Sequence, residues 1–217
     1  MAEEVDVLLA LGADASGSIS DDRERVQRLG YANALRSAEF LAAVATGRLG
    51  RIAAMYFEWS NHNRQIEARR TGWPGFTPIW TVISGAGSAE ALASAIPNTP
   101  RMTPGYTSIS GAMDYAARVM AESGISAARR VIDISSDGRN NDGREVKAAR
   151  DTAVAAGITV NGLVMLDSDP GLEAYFRAEV IGGPLAFVVP VVAEADFAQA
   201  VLRKLITEVA GVPMRRG

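Results

Sequence analysis

The chain has 217 residues, 48% hydrophobic and 22% charged, which is ordinary for a soluble globular protein with a sizeable core. Its formal net charge is −3 and its 22 basic residues form no long run, so nucleic acid is not expected as the main partner. With no Cys and one His, the chain excludes disulfides, thiolate and multi-histidine metal sites, and cysteine nucleophiles. Any bound metal must therefore be held by oxygen.

The sequence predicts no membrane span and shows no signal peptide. No uncharged apolar run reaches the roughly 20 residues that cross a bilayer, and the apolar stretch 180–192 is interrupted by Gly and Pro. The first six residues are acidic where a signal peptide would be basic and then apolar. This start fits a native N-terminus as well as a mature chain given a start codon, so the compartment stays open on this evidence.

Predicted strands and helices alternate along the chain. Residues 5–13 form an apolar run typical of a strand buried on both faces, and Ser20 caps a helix predicted to continue to Gly47. A second strand at 52–59 leads into a polar, Arg-rich excursion at 61–78, interpreted as an edge hairpin. The remaining predictions are strands at 79–83, 130–135, 158–166 and 186–192, and helices at 89–96, 108–123, 143–156, 172–180 and 196–210.

This alternation predicts the α/β class. The expected architecture has three layers: a doubly wound, mainly parallel sheet of about six strands with helices on both faces. In such sheets, ligands bind beyond the carboxyl ends of the strands, at the point where the strand order reverses. Polar residues in the loops that follow strands are therefore the first candidates for function.

Carboxylates and hydroxyls converge on three loops at that predicted edge. The five candidate metal ligands are Asp14, Ser16, Ser18, Thr107 and Asp137. The first three form a D-x-S-x-S pattern after the first strand, the Thr precedes a helix, and the last Asp follows a later strand. Each piece alone is a common turn former, but the combination is more specific. Hard oxygen ligands of this kind suit Mg²⁺.

The five-residue pattern resembles the metal-ion-dependent adhesion site of von Willebrand factor A-type domains. The segments ARRVIDISSDGRNN and AAGITVNGLVMLD also look like a bacterial A-domain-like family of unknown function. That resemblance covers about residues 4–211, which implies a single A-type domain followed by a C-terminal tail at 212–217. The chain departs from the pattern in the small Ala-Asp-Ala context of Asp14 and in the long stretch 61–78.

The resemblance implies a cofactor and a kind of partner. In the wider family the Ser and Thr hydroxyls bind one Mg²⁺ or Mn²⁺, the acids act directly or through water, and a partner's carboxylate often completes the coordination. It therefore implies metal-dependent binding of a protein ligand that supplies an acidic residue, and no catalysis. Members of the bacterial family usually carry export signals, which implies a periplasmic or secreted location, while the sequence itself leaves the cytoplasm open.

Two other functions stay open at the level of sequence. One is a Mg²⁺-dependent phosphohydrolase with Asp14 as nucleophile, because Asp can form an acyl-phosphate. The other is a scaffolding domain with a vestigial metal site. A Ser-His-Asp hydrolase is disfavoured, because no G-x-S-x-G elbow accompanies His62, which is interpreted as a solvated loop residue.

Three further residues are candidates for the rim that contacts a partner. Trp59 ends a predicted strand at the ligand edge, and Tyr106 precedes the candidate threonine. Asn140 follows the Asp137 loop. Asn140, Asn141 and Asp142 fit two roles: they steady that loop, or they cap the next helix.

Overall fold

Strands and helices alternate throughout the residues that the computed structural model describes, 3–67, 79–100 and 105–211. The strands are β1 (Glu4–Asp14), β2 (Ile52–Trp59), β3 (Gln65–Glu67), β4 (Thr81–Ile83), β5 (Ser126–Ser136), β6 (Ile158–Met165) and β7 (Val188–Val191). The helices are α1 (Asp21–Arg36), α2 (Ala38–Ala45), α3 (Ala86–Ala93), α4 (Ile109–Glu122), α5 (Val146–Ala155), α6 (Leu172–Tyr175) and α7 (Phe197–Ala210). A π-helical turn, Phe176–Val180, continues α6.

The strands form one mainly parallel sheet, which confirms the predicted α/β class. Its order is β3-β2-β1-β5-β6-β7, and β4 also pairs with β2. All pairings are parallel except those of β3 and β4, which run antiparallel to β2 at one edge. The described residues contain seven strands, slightly more than predicted. The chain passes from β1 to β2 on one side and to β5 on the other, so the order reverses between β1 and β5.

Each face of the sheet carries its own apolar core. Along β1, Leu9 and Leu11 pack with α1, α2, α3 and α7, whereas Leu8 and Ala10 pack with α4, α5 and α6. All four side chains are fully buried, because successive residues of a strand point to opposite faces and both faces are covered here. Burial on both faces holds the carboxyl end of β1 in place.

The prediction of one helix from Ser20 to Gly47 is wrong in the middle. Ser20 is the N-cap, and its Oγ accepts from Arg23 N at 3.3 Å. The helix ends at Arg36, because Ser37 takes up an extended conformation and its Oγ accepts from Phe40 N at 3.1 Å. A serine that satisfies a free N–H in this way begins a new helix.

Other boundaries differ by a few residues. Helix α3 begins at Ala86, and Ile96 lies in a 3₁₀ turn beyond its end. Helix α5 begins at Val146, three residues later than predicted, which lengthens the loop after β5. Of the predicted excursion, 65–67 form β3, whereas 68–78 lie outside the described residues, as does the tail 212–217. Across the described part of the chain, no helix has the length and apolarity needed to cross a membrane.

Candidate metal centre

The sheet topology brings the three candidate loops together at its carboxyl edge. Asp14 is the last residue of β1, and Asp137 follows the adjacent strand β5. The loop before α4 joins them through a hydrogen bond from Gly17 N to Gly105 O at 2.8 Å. Gly17 serves here for close approach, because a Cβ at this position would lie 3.3 Å from that carbonyl oxygen. All five candidate side chains thus fall beside the reversal of strand order.

A row of hydrogen bonds links four of the five candidates. Thr107 Oγ1 donates to Ser16 Oγ at 3.1 Å, and the hydroxyls of Ser16 and Ser18 lie 3.3 Å apart. Ser18 Oγ then donates to Asp137 Oδ1 at 2.6 Å. Ser18 is exposed while the other three are buried, so the row of oxygens opens to solvent at Ser18.

Asp14 lies behind this row with both carboxylate oxygens engaged. Its Oδ1 accepts from Ser16 N at 2.7 Å and its Oδ2 from Ser136 Oγ at 2.5 Å. Burial raises the pKa of Asp14 to about 7; the donors of Ser136 and Ser16 lower the pKa, and the nearby charge of Asp137 raises it further. Gln27 Nε2 donates to the backbone carbonyl of Asp14 at 3.2 Å. Neighbouring groups therefore hold this buried carboxyl in one orientation.

Asp137 carries a cationic neighbour on its other oxygen. Arg23 Nη1 donates to Asp137 Oδ2 at 3.1 Å, and the same guanidinium pairs with Asp167 and lies 3.8 Å from Glu194 Oε2. Burial lowers the pKa of Arg23, but its bonds to Asp167 and Asp137 outweigh that effect and raise the pKa overall. The guanidinium stays charged and ties the start of α1 to the loops that follow β5, β6 and β7.

Asparagines hold the loop that carries Thr107. Asn141 Oδ1 accepts from Thr107 N at 2.8 Å, and Asn141 N donates to Thr107 O at 2.9 Å. Asn61 Oδ1 accepts from Tyr106 N at 2.8 Å. Asn140 Oδ1 accepts from Ser110 N in the first turn of α4 at 2.9 Å. The asparagines after Asp137 thus steady the loops and do not cap α5, which begins further along the chain.

The predicted rim residues have different outcomes. Trp59 is fully buried, so its assignment as a partner contact is wrong: β2 is an interior strand, and its last side chain packs into the core beside α4. Tyr106 is 65% exposed and available to a partner. Asn140 is half-buried, with both ends of its amide bonded within the protein. His62 is largely exposed, and its Nδ1 lies 2.9 Å from Asp142 Oδ2.

Sequence reasoning missed three residues of this centre. Ser136, Gln27 and Arg23 contact the candidate acids directly, yet none belongs to the D-x-S-x-S pattern. The only sequence signals were that Ser136 directly precedes Asp137 and that Arg23 lies in the first turn of the helix after the loop. Both signals are weak, since Ser and Arg are common at such positions.

The donor set fits a hard divalent cation. Two acids and three hydroxyls provide oxygen alone, the chemistry that Mg²⁺ and Mn²⁺ select. In the described ranges, no group of three or more His, Cys, Asp or Glu side chains could hold a metal. The carboxyls of Asp14 and Asp137 are buried near each other, and a divalent cation would offset their mutual repulsion.

The fold of this chain is that of von Willebrand factor A domains. A von Willebrand factor type A structure from Catenulispora acidiphila matches 95% of this chain and 43% of its own, with a TM-score of 0.63 and 14% identity. The vWF domain of the type V pili tip protein Mfa5 from Porphyromonas gingivalis matches over 98% of both chains, with a TM-score of 0.63 and 12% identity.

A third similar structure is proximal thread matrix protein 1 from the mussel byssus, solved with a zinc-occupied MIDAS motif. It matches 96% of this chain and 48% of its own, with a TM-score of 0.60 and 15% identity. The chain spans less than half of the length of the byssus and Catenulispora proteins that it matches. At these identities the likeness establishes the fold.

The family follows from a match along nearly the whole chain. Residues 4–213 match the family described as "Protein of unknown function (DUF1194)", and the chain belongs to that family. A search of curated proteins found no significant match.

Proposed function

We propose that this protein binds a protein partner through a divalent metal ion. One Mg²⁺ or Mn²⁺ is held by the five side chains singled out in the sequence, Asp14, Ser16, Ser18, Thr107 and Asp137. An acidic side chain of the partner binds at the open side of the metal. The observation that carries this proposal is the row of hydroxyl and carboxylate oxygens, which is buried at both ends and open to solvent at Ser18. The zinc-occupied MIDAS motif of the byssus protein supports it.

Some of these residues bind the cation, and others hold the ligands in place. The hydroxyls of Ser16, Ser18 and Thr107 bind the cation, while Asp14 and Asp137 balance its charge directly or through water. Ser136 holds the Asp14 carboxyl in place by its hydrogen bond. The bound metal supplies a Lewis-acidic position that a partner's carboxylate can fill. Tyr106 is exposed and precedes Thr107 in the chain, and it would contact the partner.

An enzymatic role has less support. A phosphohydrolase would need Asp14 free to attack, whereas both of its oxygens accept hydrogen bonds. It would also need a Lys to balance the phosphate, but Lys204 is buried beside Asp133 and Glu208, and Lys147 lies exposed on α5. We also propose that the protein acts outside the cytoplasm, which its likeness to a pilus-tip protein supports.

A thermal-shift titration with Mg²⁺ and Mn²⁺ tests the metal site. The wild type should gain stability with metal, by about 2.7 kcal/mol when the metal is at 100 times its Kd. Asp14→Asn and Asp137→Asn should lose this gain, because each removes a charge that balances the cation. Asp22→Asn is the matched control: its side chain is 83% exposed on α1, and it should respond like the wild type. Retention of the full metal-dependent shift in both site variants would refute the site.

A pull-down from the native envelope fraction, run with Mg²⁺ and with EDTA, tests the function. The wild type should capture the partner with Mg²⁺ and not with EDTA. Asp137→Asn should capture no partner under either condition. Capture that is indifferent to EDTA would instead support a scaffold with a vestigial site. Turnover of a phosphate-ester panel that requires metal and is lost in Asp14→Asn would support the phosphohydrolase.

A further inference from the structure

A permanent cation of the chain lies against one of the proposed metal-binding acids. The guanidinium of Arg23 approaches Asp137 Oδ2 to 3.1 Å, on the side opposite the oxygen that accepts from Ser18. The side chain of Arg23 is 16% exposed and that of Asp137 is fully buried. Both oxygens of the acid are therefore engaged, one by a hydroxyl and one by a positive charge.

The charge of Arg23 is only partly balanced from elsewhere. Its other two acidic neighbours, Asp167 and Glu194, have side chains that are 43% and 48% exposed, so water screens their charges. The contact with Asp137 is shielded from water, so solvent and salt screen it less than the other two contacts. A divalent cation that approaches Asp137 meets both the repulsion of this guanidinium and an acid whose charge is already partly neutralised.

We propose that Arg23 is a built-in competitor that weakens divalent-cation binding at Asp137. In the absence of metal, the guanidinium of Arg23 supplies part of the positive charge that balances Asp137. When metal binds, the guanidinium repels it. Metal loading then requires a higher cation concentration than the five oxygens alone would need. This inference rests on the proposed metal site and adds to it the residue that sets its affinity.

A neighbouring arginine on the same helix gives a matched comparison. Arg25 pairs with Asp22 at 2.8 Å, but the two side chains are 69% and 83% exposed. An exposed pair of this kind contributes little to stability, and water and salt screen the charge of its arginine. Neutralising Arg25 changes the net charge as much as neutralising Arg23, so a difference between the two variants isolates the local contact with Asp137.

Isothermal titration of Mg²⁺ into metal-stripped protein tests the competition. Arg23→Gln keeps a side chain that can donate to Asp137 without the charge, and it should lower the Kd for Mg²⁺ about tenfold. Arg23→Lys keeps the charge and should stay within about threefold of the wild type. Arg25→Gln should match the wild type. The melting temperature of each variant in EDTA verifies that it is folded.

The outcomes separate this inference from the proposed function. If the wild type binds Mg²⁺ and Arg23→Gln binds equally or more weakly, the metal site stands and the competitor role is overturned. Equal tightening by Arg25→Gln also overturns it, because the effect is then one of overall charge. If neither the wild type nor Arg23→Gln binds Mg²⁺ or Mn²⁺, the proposed metal site fails and the competition fails with it.

Discussion

Individual hydrogen bonds orient the buried carboxyl of Asp14 at the end of β1. Its Oδ2 accepts from Ser136 Oγ at 2.5 Å, and Ser136 is fully buried at the end of the neighbouring strand β5. A buried acceptor that loses its donor bears most of its desolvation cost. The orientation of Asp14 therefore depends on a serine that lies outside the D-x-S-x-S pattern.

Ser136→Ala should lower the free energy of unfolding in EDTA by about 1–3 kcal/mol, because it leaves Asp14 Oδ2 without its donor. Ser126→Ala, at the exposed start of the same strand, is the control and should change stability by less than about 0.5 kcal/mol. Urea unfolding of both variants measures the difference. Equal stabilities would mean that the Ser136 bond contributes nothing.

Among the elements, the contact of α1 with α7 depends on a residue without a side chain. A Cβ on Gly30 would lie 2.9 Å from Cδ1 of Phe197, the buried first residue of α7. Gly87, in α3, has no atom within 4 Å of the corresponding position. Both glycines lie in helices, Gly30 inside α1 and Gly87 in the first turn of α3, and only at Gly30 does a neighbouring side chain occupy the space of a Cβ.

Gly30→Ala should destabilise the protein by about 1 kcal/mol net, since overpacking of about 1–3 kcal/mol outweighs the better helix propensity of alanine. Gly87→Ala should be neutral or stabilising by up to about 1 kcal/mol. Chemical denaturation of the pair gives both values. A stabilising Gly30→Ala would show that Phe197 moves aside without cost.

For the whole molecule, a cluster of charged side chains in the core contributes to the pH dependence of stability. Lys204 of α7 is buried between Asp133 of β5 and Glu208. Its Nζ lies 2.6 Å from Glu208 Oε1. Asn161 Nδ2 also donates to Glu208 Oε1 at 2.9 Å. Burial raises the pKa of Asp133 to about 7; Lys204 lowers this pKa and Glu208 raises it. This cluster places two acids beside one base.

The sign of the pH effect follows from that raised pKa. Between about pH 4 and pH 7 the folded protein keeps a proton on Asp133 that the unfolded chain has released, so stability falls as the pH rises through this window. The slope from one such group is at most about 1.4 kcal/mol per pH unit. Asp133→Asn leaves Lys204 paired with Glu208 and should reduce the decline without abolishing it, because the pKa of Asp14 is also raised to about 7 and acts with the same sign.

Urea unfolding in EDTA at pH 5, 6, 7 and 8 measures this dependence. Asp22→Asn, which changes an exposed acid, should keep the wild-type slope. An unchanged slope in Asp133→Asn would show that Asp133 is already ionised in the folded protein below pH 5.

The sequence by itself determined the α/β class, the order of most elements and the five candidate oxygens. These features are readable because they are local: burial on both faces makes β1 continuously apolar, and a turn after a strand selects Asp, Ser and Gly. The break at Ser37 escaped prediction, because the apolar spacing continues across it and only the cap geometry reveals the new helix.

The tertiary structure alone decided which residues contact the acids of the candidate centre. Ser136 and Arg23 reach the acids only because β1 lies next to β5 and the first turn of α1 lies beside the loops that follow the strands. Trp59 is buried because β2 lies inside the sheet. The burial of Lys204 likewise depends on where α7 packs. Burial and charge pairing join residues that are distant in sequence, so they follow from the order of the strands and cannot be read from any local pattern.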